Sequence, residues 1–131
     1  MSHAPEPPIT IALDLDDTIL GTDCFDPEHI DHNQKPIGNV VQNINSIRAL
    51  GVRVVIFTSR KSSGRDATIA QLRRFGINYD DIIFDKPQFD VFLDNKAMKF
   101  QGTWDADATD DLLSEAVSNR NIDRDRYPTY F

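Results

Sequence analysis

Residues 9–13, ITIAL, form a short apolar run that breaks off into the polar string DLDDT. This predicts a buried strand with carboxylates at its C-terminal end. Residues 19–38 carry Gly21, Pro27, Pro36 and Gly38 with little periodicity and read as a loop or small flap. From Asn39, the residues Val40, Val41, Ile44, Ile47 and Leu50 recur at helical spacing, and Gly51 stands where a helix end favours a left-handed residue. The β-branched run VRVVIF, 52–57, bounded by Gly51 and the polar TSRKSSG, predicts a strand buried on both faces of a parallel sheet. Residues 65–75 place Ile69, Leu72 and Phe75 on one helical face, with Gly76 as the stop signal.

The alternation then breaks. The runs IIF at 82–84 and VFL at 91–93 are separated only by DKPQFD. A parallel crossover takes about a dozen residues or more, so 82–84 is either an edge strand or not parallel to its neighbours. A short strand around 98–101 and a helix near 107–118 follow, the helix with Leu112, Leu113, Ala116 and Val117 inward and acidic residues in its first turn. The order βαβαββα predicts a three-layer α/β fold with a mostly parallel sheet, which binds ligands at the carboxyl ends of its strands. The expected division is a flexible leader at 1–8, a single domain at 9–118 and a polar, late-aromatic tail at 119–131.

Composition narrows the class. The chain has 131 residues, 40% of them hydrophobic, enough for one core without disulfides or structural zinc. Its one cysteine, Cys24, rules out an internal disulfide and points to a reducing cytoplasm. No apolar run approaches the roughly 18 residues of a membrane span, and residues 1–8 lack the basic and apolar regions of a signal peptide. The formal charge of −7 argues against polymeric nucleic acid and anionic lipid as partners, although a local basic patch can still bind phosphate.

Asp14, Asp16 and Asp17 would repel one another unless a cation, hydrogen bonds or solvent offset the charge. Alone, the cluster reads equally as an acidic turn. The strand feeding it favours a site, because positions i and i+2 of an extended chain face the same way and Asp14 and Asp16 can share a pocket.

The sequence resembles the haloacid dehalogenase-like (HAD) superfamily of phosphatases over roughly residues 9–100. The first motif is an apolar strand followed by Asp14-Leu15-Asp16-Asp17-Thr18. The second is VVIFT, with Thr58 at its end followed by Ser59 and Arg60; the third is Lys86 in DKP; the fourth is FDVFLDNKA, with Asp90 and Asp94. The ordered set is most similar to small, cap-less members akin to capsule-biosynthesis phosphatases. The short stretch from Leu20 to Asn39 leaves room for a flap alone. The fold implied is a three-layer Rossmann-like HAD core with a minimal or absent cap.

The resemblance implies a Mg²⁺-dependent phosphomonoester hydrolase acting on a phosphorylated small molecule such as a sugar phosphate or nucleotide. It makes Asp14 the nucleophile that forms an aspartyl-phosphate, and Asp16 the general acid and base. It implies a Mg²⁺ held by Asp14, the main-chain carbonyl of Asp16 and Asp94, with Asn95 beside them. Thr58, Ser59, Arg60 and Lys86 are the expected phosphate and substrate contacts. Asn95 departs from the family's usual acidic pair and removes a formal charge from the metal site.

Ordinary readings stand beside these. Thr58 is also a natural turn cap, and Lys86 a solvated loop lysine; Lys61 and Arg65 belong to a basic loop near a helix start, and Asp90 is a weaker metal ligand than Asp94. His29 and His32 read as surface histidines, Trp104, Tyr79, Tyr127 and Tyr130 as packing or interface residues, and Cys24 as an inert thiol. The alternative function is a catalytically weak phosphate-binding or regulatory module retaining the fold, motivated by Asn95. An open, cap-less site can also be closed by a neighbouring subunit, so a homo-oligomer is among the expectations.

Overall fold

The structure, a computed structural model, describes residues 6–21 and 34–130. Strand β1 (Thr10–Leu13) leads through a two-stranded antiparallel ribbon, β2 (Leu20–Gly21) with β3 (Lys35–Pro36), to helix α1 (Val40–Ala49). Strand β4 (Arg53–Phe57), helix α2 (Arg65–Arg74), strand β5 (Asp81–Ile83) and helix α3 (Ala108–Arg126) complete the described elements. The three longer strands form one parallel sheet in the order β1-β4-β5, with Ile11 opposite Val54, Leu13 opposite Ile56, and Ile56 opposite Ile82. The protein is therefore α/β, with a parallel sheet flanked by helices in a small Rossmann-like core.

Alternation along the strands decides where the core lies. Ile11, Leu13, Val54, Ile56 and Ile82 point to one side and join Val40, Ile44 and Ile47 of α1, Leu72 of α2 and Trp104 in one buried cluster. Leu112, Leu113 and Ala116 of α3 pack partly buried against it. Val117, expected inward, is 45% exposed, because the stripe facing the core runs through 112, 113 and 116 and leaves 117 at its margin. Asn43, buried on α1, ties the helices together: its Oδ1 accepts from the Thr109 N–H at 3.1 Å and its Nδ2 donates to the Asp105 carbonyl at 3.2 Å.

Two sequence expectations are corrected, and one left open is decided. Residues 91–93 and 98–101 are not strands; no regular element occurs between Ile83 and Ala108, and Val91 and Leu93 are exposed. The short link from β5 cannot make a parallel crossover, so the chain leaves the sheet instead of adding a strand. Of the two readings left open for 82–84, the edge strand is the one found: Asp81–Ile83 pairs parallel with β4 at the sheet edge. The terminal helix continues past residue 118 to Arg126, held by Arg120, whose guanidinium donates to the Pro7 and Pro8 carbonyls at 2.7 and 3.1 Å. Among the described residues no helix is long and apolar enough to cross a membrane.

Asp80, just before β5, joins two elements through one carboxylate. Arg48 of α1 donates to Oδ1 at 3.0 Å and to Oδ2 at 3.3 Å, and the Val54 N–H donates to Oδ2 at 2.8 Å. The Arg48 hydrogen bonds, and then that from Val54, hold the Asp80 carboxyl below its ordinary value of 3.8. A carboxyl lowered in the folded state stabilises it above the unfolded value and loses that contribution as pH falls through the lowered one. Thermal unfolding of Asp80→Asn should therefore lie below wild type at pH 7, and the gap should close as pH drops below 3.8. A gap independent of pH would refute this linkage.

Candidate active site

The loop after β1 is built around one carbonyl. The Leu15 oxygen accepts from the amides of Thr18, Ile19 and Leu20 at 3.3, 2.8 and 3.0 Å, while the Asp17 N–H donates to the Leu20 carbonyl at 2.7 Å. Closing so tight a turn puts Asp17 in the left-handed region at φ 64°, which Asp tolerates better than most side chains. Leu15, Ile19 and Leu20, fully buried, anchor the loop, and Trp104 Nε1 donates to the Thr18 carbonyl at 2.7 Å. Thus the apolar residues interleaved with the carboxylates point into the core and leave Asp14 and Asp16 at the carboxyl end of the sheet.

Asp14 is half-buried. Its Oδ1 accepts from the Leu15 N–H at 2.9 Å and lies 3.4 Å from Lys86 Nζ. Lys86 is placed by its backbone: its N–H donates to the Thr58 carbonyl at 2.9 Å, just after Asp85 turns through a left-handed φ of 60°. The Lys86 ammonium also lies over the Phe57 ring, 5.2 Å from its centre, and 5.9 Å from the centre of Phe92. Thr58, buried at the end of β4, accepts from the Arg60 N–H at its Oγ1, 3.1 Å away, so the expected turn cap is present. A hydroxyl that accepts retains its own proton to donate. Ser59, half-buried, borders the same opening as Lys86.

Arg60, expected to contact substrate, is turned inward and only 2% exposed. Its Nε donates to Asp16 Oδ2 at 2.9 Å and its Nη2 to Asp16 Oδ1 at 2.8 Å, a bidentate pair of the strongest kind. Its remaining donors reach Gln34 Oε1 at 3.0 Å, Gln71 Oε1 at 2.7 Å and Thr68 Oγ1 at 3.2 Å. Gln34 Nε2 adds a third hydrogen bond to Asp16, 2.7 Å from Oδ1, and Gln71 Nε2 donates to Gln34 Oε1 at 2.8 Å. The guanidinium thus fills a polar cage and aims Asp16, a positioning task, instead of reaching the opening. Sequence reading missed Gln34 and Gln71. The signal for Gln71 was its place beside Leu72 on the inward face of α2, where a polar side chain needs a buried partner; for Gln34 there was none.

The fourth motif does not join the others. Asp94 and Asn95 lie in exposed, irregular chain, and Asp94 Oδ1 accepts from the Lys96 N–H at 2.9 Å. Among the described residues no group of three or more His, Cys, Asp or Glu side chains could hold a metal ion. Of the magnesium set implied by the resemblance, Asp14 and the Asp16 main-chain carbonyl stand at the end of β1, while Asp94 and Asn95 stand in the irregular chain after β5, and no three-carboxylate group is gathered among them.

Lys61 and Asp90 are exposed, and Arg65 lies over the Phe84 ring at 5.5 Å. Trp104 packs in the core, as expected. Cys24, His29 and His32 lie outside the described residues. At the opposite end of the sheet, a cleft of about 550 Å³ is lined by Arg48, Arg53 and Asp80, whose charges are paired in place.

No family model and no curated protein matches this chain. A solved structure does: the crystal structure of a target protein from Vibrio cholerae is similar at 17% identity with a TM-score of 0.57, over 84% of this chain and 98% of that one. A likeness at that identity is a likeness of fold.

Proposed function

We propose that the protein is a phosphomonoester hydrolase of the HAD-like type, working in the cytoplasm on a small phosphorylated metabolite through an aspartyl-phosphate at Asp14. The observation that carries this reading is the pairing of Asp14 with Lys86 at 3.4 Å beside the buried Thr58, at the carboxyl ends of adjacent parallel strands. A carboxylate there can attack phosphorus, Lys86 can neutralise a phosphoryl oxygen, and the Thr58 hydroxyl can donate to another. In the first half, an Asp14 oxygen bonds to phosphorus, the ester bond breaks and the leaving oxygen takes a proton from Asp16. In the second, Asp16 takes a proton from water, which attacks phosphorus and frees Asp14. Both Asp16 oxygens accept from Arg60 in the structure, so before the first transfer one oxygen leaves that fork and takes up a proton from solvent; the second transfer restores that proton. Because the magnesium ligands are not gathered, no step is assigned to the ion.

The alternative, a phosphate-binding module with little turnover, is favoured by one observation: among the described residues no group of three or more His, Cys, Asp or Glu side chains is gathered to hold a metal ion. Phosphate release from p-nitrophenyl phosphate and from a panel of phosphometabolites, with and without Mg²⁺, separates the two. Release above the uncatalysed rate is expected. Stimulation by Mg²⁺ would mean that residues 90–96 move to bring Asp94 to Asp14, and release without it that Lys86 suffices. Phosphate binding by a folded chain that hydrolyses none of these esters would select the module.

A further inference from the structure

Phe89 and Phe92 are 65% and 55% exposed, yet they form an ordered edge-to-face pair with ring centres 5.4 Å apart and planes at 82°. They line a cleft of about 600 Å³ whose other walls are Ser59, Lys86, Pro87, Gln88 and Asp90. That volume is in the range of sites for small organic ligands. The cleft is continuous with the candidate catalytic group: Lys86 Nζ lies 3.4 Å from Asp14 Oδ1 and 5.9 Å from the centre of the Phe92 ring.

We propose that this cleft is the leaving-group site and that it takes an aromatic one, which makes a nucleoside monophosphate the substrate class. The inference rests on the proposed phosphatase reading and specifies its substrate. A phosphoryl group between Asp14 and Lys86 directs the rest of the ester toward Phe92. There the ring surface that Phe89 and Phe92 leave exposed gains most from a planar π-system, and stacking of this kind is tolerant of which base is offered. Gln88 and Asp90 add an amide and a carboxylate for hydroxyl and amino groups at the ligand's edge. The Asp90 carboxylate also opposes a second phosphate in the cleft, so one phosphate is preferred to two or three. A bare sugar phosphate would leave both rings wet.

The test is calorimetric binding of adenosine 5′-monophosphate and glucose 6-phosphate to the Asp14→Asn chain, with turnover of both measured on wild type. The nucleotide should bind about tenfold more tightly than the sugar phosphate, in line with one stacked base. Phe92→Ala and Phe89→Ala should each reduce that ratio several-fold, and Phe92→Tyr should keep it. Both variants change exposed rings, and circular dichroism checks their fold. Equal affinities, or a ratio untouched by both alanine variants, would overturn the inference; so would a dimer in sedimentation that the alanine variants dissolve while the ratio stays constant. Turnover without nucleotide preference defeats the inference alone, whereas nucleotide preference without turnover upholds the cleft and defeats the phosphatase reading.

Discussion

Asp14→Asn should reduce phosphate release from any substrate by more than about a thousandfold, as loss of a covalent nucleophile does. The change is almost isosteric. The Asn oxygen can still accept the Leu15 N–H now held at 2.9 Å, so the loop closed on the Leu15 carbonyl keeps its shape. What disappears is the negative oxygen that attacks phosphorus in the proposed reaction, together with the ion pair to Lys86 at 3.4 Å. Because Lys86 then lacks its carboxylate partner, phosphate affinity should hold or rise while kcat collapses. Steady-state kinetics with a product-inhibition constant for phosphate read both changes. A variant retaining a tenth of wild-type kcat would show that Asp14 is not the nucleophile.

The largest stability effect is expected at Arg60. Arg60→Met removes every donor the guanidinium supplies and leaves Asp16, Gln34 and Gln71 facing one another around an apolar chain. Breaking one side of a buried ion pair costs about 3–5 kcal/mol. The Arg60 and Asp16 side chains are only 3% and 11% exposed, so solvent offers little compensation. For a chain of this size that is a fall of about 10–20 °C in Tm. Combining it with Asp16→Leu should recover part of the loss, since two apolar side chains leave no stranded charge. In the fraction still folded, kcat should fall more than KM rises, because Arg60 orients Asp16 and does not line the opening. A Tm loss under about 3 °C, or an effect confined to KM, would return Arg60 to the substrate-contact role that its place beside Thr58 suggests.

Arg60 also shows how far the amino-acid order carries the reading. Its position after the second strand was legible, because strand ends in a parallel sheet converge on one edge. Its direction was not. Whether a side chain there points out to substrate or in to Asp16 depends on Thr68 and Gln71, one helix away, and on Gln34 from the ribbon. Local pattern hints only at Gln71, through its place beside Leu72 on the inward face of α2, since a buried polar cage is a property of the assembled elements.

The elements themselves were legible wherever a single period governed enough residues. ITIAL, VRVVIF and the helical stripe from Val40 to Ile47 appear as β1, β4 and α1 within a residue or two, because burial of one stripe or one run outweighs everything else at those positions. The carboxylates at the end of β1 follow from the same local rules, whereas Thr58 and Lys86 were singled out by the resemblance and by local pattern alone read as a turn cap and a loop lysine. Residues 84–107 lie beyond their reach. A three-residue run such as VFL becomes a strand only if a neighbouring edge accepts its hydrogen bonds, and the ladder partner is a matter of chain path, not of propensity. Here the path leaves the sheet after β5, so Asp94 and Asn95 stand in exposed, irregular chain while Phe89 and Phe92 come to line a cleft with Lys86. Local chemistry names the carboxylates; which side chains meet them, and what lines the space between, is settled by long-range packing.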